Sequence, residues 1–205
     1  MTNNRTIFNI ALIGILMSLT LIMKAIFNFI PVLNGYPLDF YIVVFILGIL
    51  MIKSHKYKWT FLLLTPWVLL IIPSGMVNFW DLLLEYILPL YVFFPLIYFL
   101  PIIKLLTKKV NNKKIKIAIE LIVLLLIILI LFTIKFVFHL VAGYIWYTPG
   151  NWYASMVINA EIIFLIYAVD IPIILLCYPS LQKIYTSFYG KTNNQQKNSD
   201  SCIQI

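Results

Sequence analysis

Apolar residues fall along this chain in blocks far longer than a soluble core helix requires, and polar residues gather in short seams between them. The first block covers about residues 7–30 and stops at Pro31. Asn34-Gly35-Tyr36-Pro37 forms a turn into a second block, about residues 39–52. A basic connection at 53–58 leads to a third, about 59–72, which Pro73-Ser74-Gly75 closes. Asn78, Trp80 and Asp81 belong to the next connection. The fourth block, about 82–106, contains Pro89, Pro95 and Pro101, which predict kinks. After a Lys/Asn loop the fifth block runs over about 115–142. Residues 143–152 read as an aromatic-rich turn, and the sixth block covers about 153–178.

Inside a bilayer every backbone N–H and C=O must be satisfied within the chain, so blocks of this length have to be helices. A transmembrane β-barrel would show apolar and polar positions alternating by two, a pattern the blocks lack. The sequence therefore predicts an all-α integral membrane protein with six transmembrane helices. Residues 1–179 are expected to form one transmembrane domain, and 180–205 a polar, largely disordered cytoplasmic tail. The second and third blocks hold only about 14 residues each, against the ~20 that a span needs. Six is retained because an even count leaves every basic loop on one side. The lysines cluster at 53–58, at 104–116 and after residue 180, while the segments 31–38, 74–81 and 143–152 contain no Lys or Arg. This asymmetry predicts that both termini are cytoplasmic and that the protein is a multi-pass resident of the cell membrane. The unbroken first block, with no small-residue cleavage pattern after it, reads as a retained span.

Composition agrees: 63% of residues are hydrophobic and 11% charged, and the mean hydropathy is +1.00. The net charge of +8 is accounted for by the topology signal, so it does not argue for nucleic acid. No Gly-rich phosphate loop and no room for a nucleotide-binding domain are present, which excludes intrinsic ATP hydrolysis. Cys177 and Cys202 have no metal-ligand spacing. His55 lies in a cytoplasmic loop and His139 near the outer face, so the two histidines cannot meet. Paired Asp residues suited to Mg²⁺ are also missing. The chain is read as a non-enzyme with no catalytic residues, no metal and no cofactor.

The seven acidic residues then carry weight, because a carboxylate at membrane depth costs at least ~2.5–3.5 kcal/mol. With a rise of 1.5 Å per residue, Glu85 lies about 5 Å below the outer boundary, Trp67 about 8 Å, His139 about 5 Å and Asn159 about 9 Å. Four groups from four helices thus share a shallow outer layer. Tyr36, Trp80, Tyr86, Tyr144, Trp146, Tyr147, Trp152 and Tyr153 surround it. Aromatic faces attract a cation and stack on rings, and a carboxylate pairs with amino groups, so the layer suits a flat, cationic, hydrogen-bonding ligand. Lys135 shares a helical face with His139; it can snorkel outward or pair with Glu161.

Two segments carry a family resemblance. The first is Asp81-Leu-Leu-Leu-Glu85-Tyr86-Ile-Leu-Pro89. The second is Lys135-Phe-Val-Phe-His139-Leu-Val-Ala-Gly143-Tyr-Ile-Trp146-Tyr147, followed by Asn151-Trp-Tyr153-Ala-Ser-Met-Val-Ile-Asn159. Together they resemble the substrate-binding (S) component of an energy-coupling factor vitamin transporter, most closely the thiamine-specific family. The resemblance implies a high-affinity vitamin-capture subunit that works with a transmembrane coupling subunit and two ABC ATPases. Such a subunit loads from outside and releases inside by toppling on the coupling subunit. It implies that Glu85 reads an aminopyrimidine, that Tyr86, His139 and Asn159 are polar site residues, and that Trp67, Trp146, Tyr36 and Tyr153 form aromatic walls. Lys135 occupies the basic position ahead of the histidine. His139-to-Trp146 is one residue shorter than the family spacing, leaving Tyr147 as the alternative wall residue. Tyr153-to-Asn159 is one residue longer. Ala11, Gly14 and Ser18 form a small-residue face where the family docks on its coupling subunit, although Ile15 interrupts the family's Ala-x-x-x-Ala spacing. Alternatives are an S component for riboflavin or a thiamine precursor, and a small non-transport membrane assembly protein.

Overall fold

The computed structural model describes residues 2–28, 40–72 and 78–201, and all regular structure among them is helical. Four stretches are long and apolar enough to cross a membrane: Thr6–Asn28, Phe79–Ile103, Lys113–Tyr147 and Trp152–Leu181. The first belongs to α1 (Thr2–Asn28). Helices α2 (Tyr41–Met51) and α3 (His55–Leu69) are shorter. At 11 residues, α2 rises about 17 Å, little more than half the ~30 Å of a hydrocarbon core.

The α2 helix is apolar on every side and is accordingly buried nearly all round. It packs on α1, on α3 and on the last helix. Gly48 permits the close approach to α3, since a Cβ there would lie 2.7 Å from Cε1 of Phe61. The α3 helix begins earlier than the apolar pattern suggests. His55 to Lys58 are helical, and Lys58 is 1% exposed rather than part of a solvated loop.

The fourth apolar block is one continuous but irregular rod. Asn78 caps its start, its Oδ1 accepting from the amides of Trp80 at 2.9 Å and Asp81 at 3.0 Å. The rod then runs through α4 (Phe79–Asp81), a π-helical segment (Leu82–Ile87), α5 (Leu88–Tyr91), a 3₁₀ segment (Phe94–Tyr98) and α6 (Phe99–Leu106). The interruptions follow from the prolines: each removes an amide donor, so the ladder widens before Pro89 and tightens around Pro95.

Helix α7 (Lys113–Ala142) is capped by Asn112 and continues directly into a second π-helical segment (Gly143–Tyr147). This corrects the expected turn over 143–152, because only Thr148 to Asn151 lie between helices. Helix α8 (Trp152–Ser201) contains Pro172 and Pro179 and runs on into the polar tail. An aromatic ladder ties the elements together. Phe45 of α2 meets Phe93 at 6.3 Å, Phe93 meets Phe132 of α7 at 5.5 Å, and Phe132 meets Tyr167 of α8 at 4.2 Å, all edge to face.

Candidate functional site

The two π-helical segments face each other. Widening a helix by one residue per turn re-aims side chains that an α-helix would place elsewhere, and such segments recur at functional sites. The first carries Glu85 and Tyr86, with Asp81 immediately before it; the second carries Trp146 and Tyr147. Tyr147 Oη lies 2.9 Å from Oε2 of Glu85 and 3.1 Å from Oδ2 of Asp81. On the other side of Glu85, Oε1 stands 3.6 Å from Nδ1 of His139. That is an electrostatic pairing too long for a good hydrogen bond. Asp81 is fully buried, while the side chains of His139 and Glu85 keep 12% and 19% of their surface exposed. Two carboxylates, a phenol and an imidazole therefore converge where the second π-helical segment meets the first.

Gly143 holds the second segment against α8. A Cβ at this position would lie 2.4 Å from Oγ of Ser155 and 2.6 Å from Nδ2 of Asn159. Asn159 donates from Nδ2 to the carbonyl of Ser155 at 2.8 Å, and Ser155 Oγ donates to the carbonyl of Leu140 at 2.9 Å. Asn159 thus lies at the base of the segment that carries Tyr147. The turn beyond is fixed by Thr148, whose amide donates to the Gly143 carbonyl at 2.8 Å, and by Gly150 at φ +74°. Beside it Tyr144 and Trp152 stack, with centroids 4.1 Å apart and planes 10° apart.

Other predicted site residues are placed differently. Trp67 is half-exposed, and its indole N–H donates to Tyr91 Oη at 2.9 Å, six residues along the rod from Glu85. Tyr153 is 78% exposed. Trp146 is half-buried on the same segment as Tyr147. Lys135 is buried between α7 and α8, with Nζ 5.9 Å from the ring centroid of Tyr167, so it does not snorkel. Tyr36 lies outside the described residues. Ala11, Gly14 and Ser18 are exposed on α1, and a Cβ on Gly14 would meet nothing within 4 Å. Among the described residues no group of three or more His, Cys, Asp or Glu side chains is placed to hold a metal ion.

One residue beside the cluster was not anticipated. Lys24 of α1 is buried, donates to the carbonyl of Leu69 at 2.8 Å, and places Nζ 5.5 Å from the ring centroid of Tyr86, the neighbour of Glu85. Its signal was available: it is the single charged residue in the apolar stretch Thr6–Asn28.

No protein-family model, curated protein or solved structure matches this chain.

Proposed function

We propose that this chain is a membrane-embedded capture subunit for a small cationic vitamin, with thiamine the leading candidate. In this reading it is an S component that serves a transmembrane coupling subunit and two ABC ATPases. The observation that carries the reading is the convergence of Asp81 and Glu85 from the start of the fourth rod with His139 of α7 and Tyr147 of the π-helical segment that continues it. Carboxylates held in a mostly apolar bundle favour a ligand that brings positive charge and N–H donors, and the neighbouring aromatic rings suit a flat cation. The lysine asymmetry supports six crossings with both termini cytoplasmic, which puts this cluster near the outer face. In that arrangement the exposed small-residue face of α1, Ala11, Gly14 and Ser18, is the docking surface for the coupling subunit.

Tryptophan fluorescence of the purified protein tests the ligand. Thiamine at nanomolar to micromolar concentration quenches the wild type, and Glu85→Gln abolishes the response. A wild type that ignores thiamine and its phosphates excludes this vitamin, and mass spectrometry of the co-purified small molecule then identifies the ligand class.

A further inference from the structure

The Tyr147 hydroxyl lies 2.9 Å from Oε2 of Glu85, the carboxylate that reads the ligand in the proposal above. It touches both carboxylates at once, at 2.9 Å and 3.1 Å. A phenol has a single proton to donate, whereas two carboxylates present several acceptor lone pairs. One O–H therefore bridges two carboxylates, a position in which an amino group would present two N–H donors. The ring that carries this hydroxyl is not locked in. Tyr147 is 47% exposed and is the last residue of its helix. It is followed by a turn that ends at Gly150 with φ +74°. Such a terminal position can absorb a change of backbone angle without disturbing α7.

We infer that the Tyr147 hydroxyl is an internal stand-in for the ligand, occupying the position between Glu85 and Asp81 that a ligand's amino group takes when it binds. The inference rests on the reading of Glu85 as the ligand-binding carboxylate, and it adds a rule of selection. A ligand succeeds only by displacing the phenol, so it must carry at least two N–H donors on one edge, as an aminoazine or amidinium does. An oxo or hydroxyl group in the same position returns no more than the phenol already gives. Tyr147 thereby sets a threshold that ring-bearing compounds without an amino group do not pass.

Two measurements on the full-length protein test this. The first compares binding of thiamine, and of its analogue with an oxo group replacing the ring amino group, to the wild type and to Tyr147→Phe. Removing the competing hydroxyl strengthens thiamine binding by roughly tenfold and strengthens the oxo analogue less. Unchanged or weaker thiamine binding overturns the inference, since it makes Tyr147 a bystander or a direct ligand contact. The second needs no ligand: carbodiimide-driven amine labelling of Glu85, followed by peptide mass spectrometry. Labelling rises several-fold in Tyr147→Phe, and equal labelling in both proteins overturns the inference. Increased labelling with no thiamine binding to either protein retains Tyr147 as the cover of Glu85 and removes thiamine as the ligand.

Discussion

Lys58 donates from Nζ to the carbonyl of Ile97, 3.2 Å away, the carbonyl that an α-helix would pair with the amide of residue 101, where proline has none. Lys24 makes a comparable contact across elements, donating to the carbonyl of Leu69 at the end of α3, which also accepts from the amide of Ile72 at 3.3 Å. Each buried lysine thus donates to a backbone carbonyl of a neighbouring element, and for Lys58 that carbonyl's regular partner is a proline. In an apolar environment a carbonyl without a donor costs free energy, and an ammonium without an acceptor costs more. At Lys58 the pairing resolves both. For Lys58 it links α3 to the broken fourth rod, and for Lys24 it links α1 to the end of α3.

The first prediction follows from the Lys58–Ile97 pair. Lys58→Met removes the donor and lowers stability in detergent by about 1.5–3 kcal/mol. In a Pro101→Ala background, where residue 101 regains an amide, the same substitution costs less. A double-mutant cycle read by thermal unfolding gives the coupling, and additive effects would show that Lys58 serves something other than the proline-freed carbonyl.

At Lys24 the expected cost of Lys24→Met is smaller, about 1–2 kcal/mol, because methionine keeps the buried stem packed while Leu69 loses its cation. The neighbouring Tyr86 ring loses its cation at the same time. Lys24→Arg retains most of the stability. Thermal unfolding of the two variants side by side separates loss of the donor from loss of packing, and equal effects would assign the site to packing.

A third prediction concerns Gly143. Its added methyl in Gly143→Ala would sit 2.4 Å from Ser155 Oγ and 2.6 Å from Asn159 Nδ2, so α8 or the π-helical segment must move. The expected loss is about 1–3 kcal/mol of stability. Gly143→Ala combined with Ser155→Ala recovers part of the stability, which thermal unfolding would report.

The helical, membrane-type character of the fold was legible because apolar blocks that long leave backbone polar groups no partner outside a helix. The three prolines of the fourth block also predicted irregularity, and the rod breaks around Pro89 and Pro95. The π-helical widening was not legible. Whether Gly143 ends α7 or continues it depends on the fit of Ser155 and Asn159 against it, a contact across helices. The same limit hid Lys58, which reads as one more basic loop residue until α3 is placed against Ile97, 39 positions away. Spacing left Trp146 and Tyr147 as alternatives. In an α-helix they would point about 100° apart, and the π-helical turn aims Tyr147 at Glu85. His139 and Glu85 were placed in one layer by counting helical rise alone, and the structure sets them 3.6 Å apart.

That separation yields the last prediction. At 3.6 Å between Nδ1 and Oε1 the His139–Glu85 contact is electrostatic and contributes little as a hydrogen bond to the empty protein. His139→Gln keeps a polar side chain of similar reach, so it changes stability by less than about 1 kcal/mol. Contacts at binding sites often tighten only when the ligand arrives. If the proposed site is the one used, His139→Gln therefore weakens thiamine binding by about tenfold while the melting temperature hardly moves. Fluorescence titration and thermal unfolding of the same preparation give both numbers. A large loss of stability with affinity intact would make the pair a structural strut between α7 and the fourth rod, and would move the binding role to the Tyr147 side of Glu85.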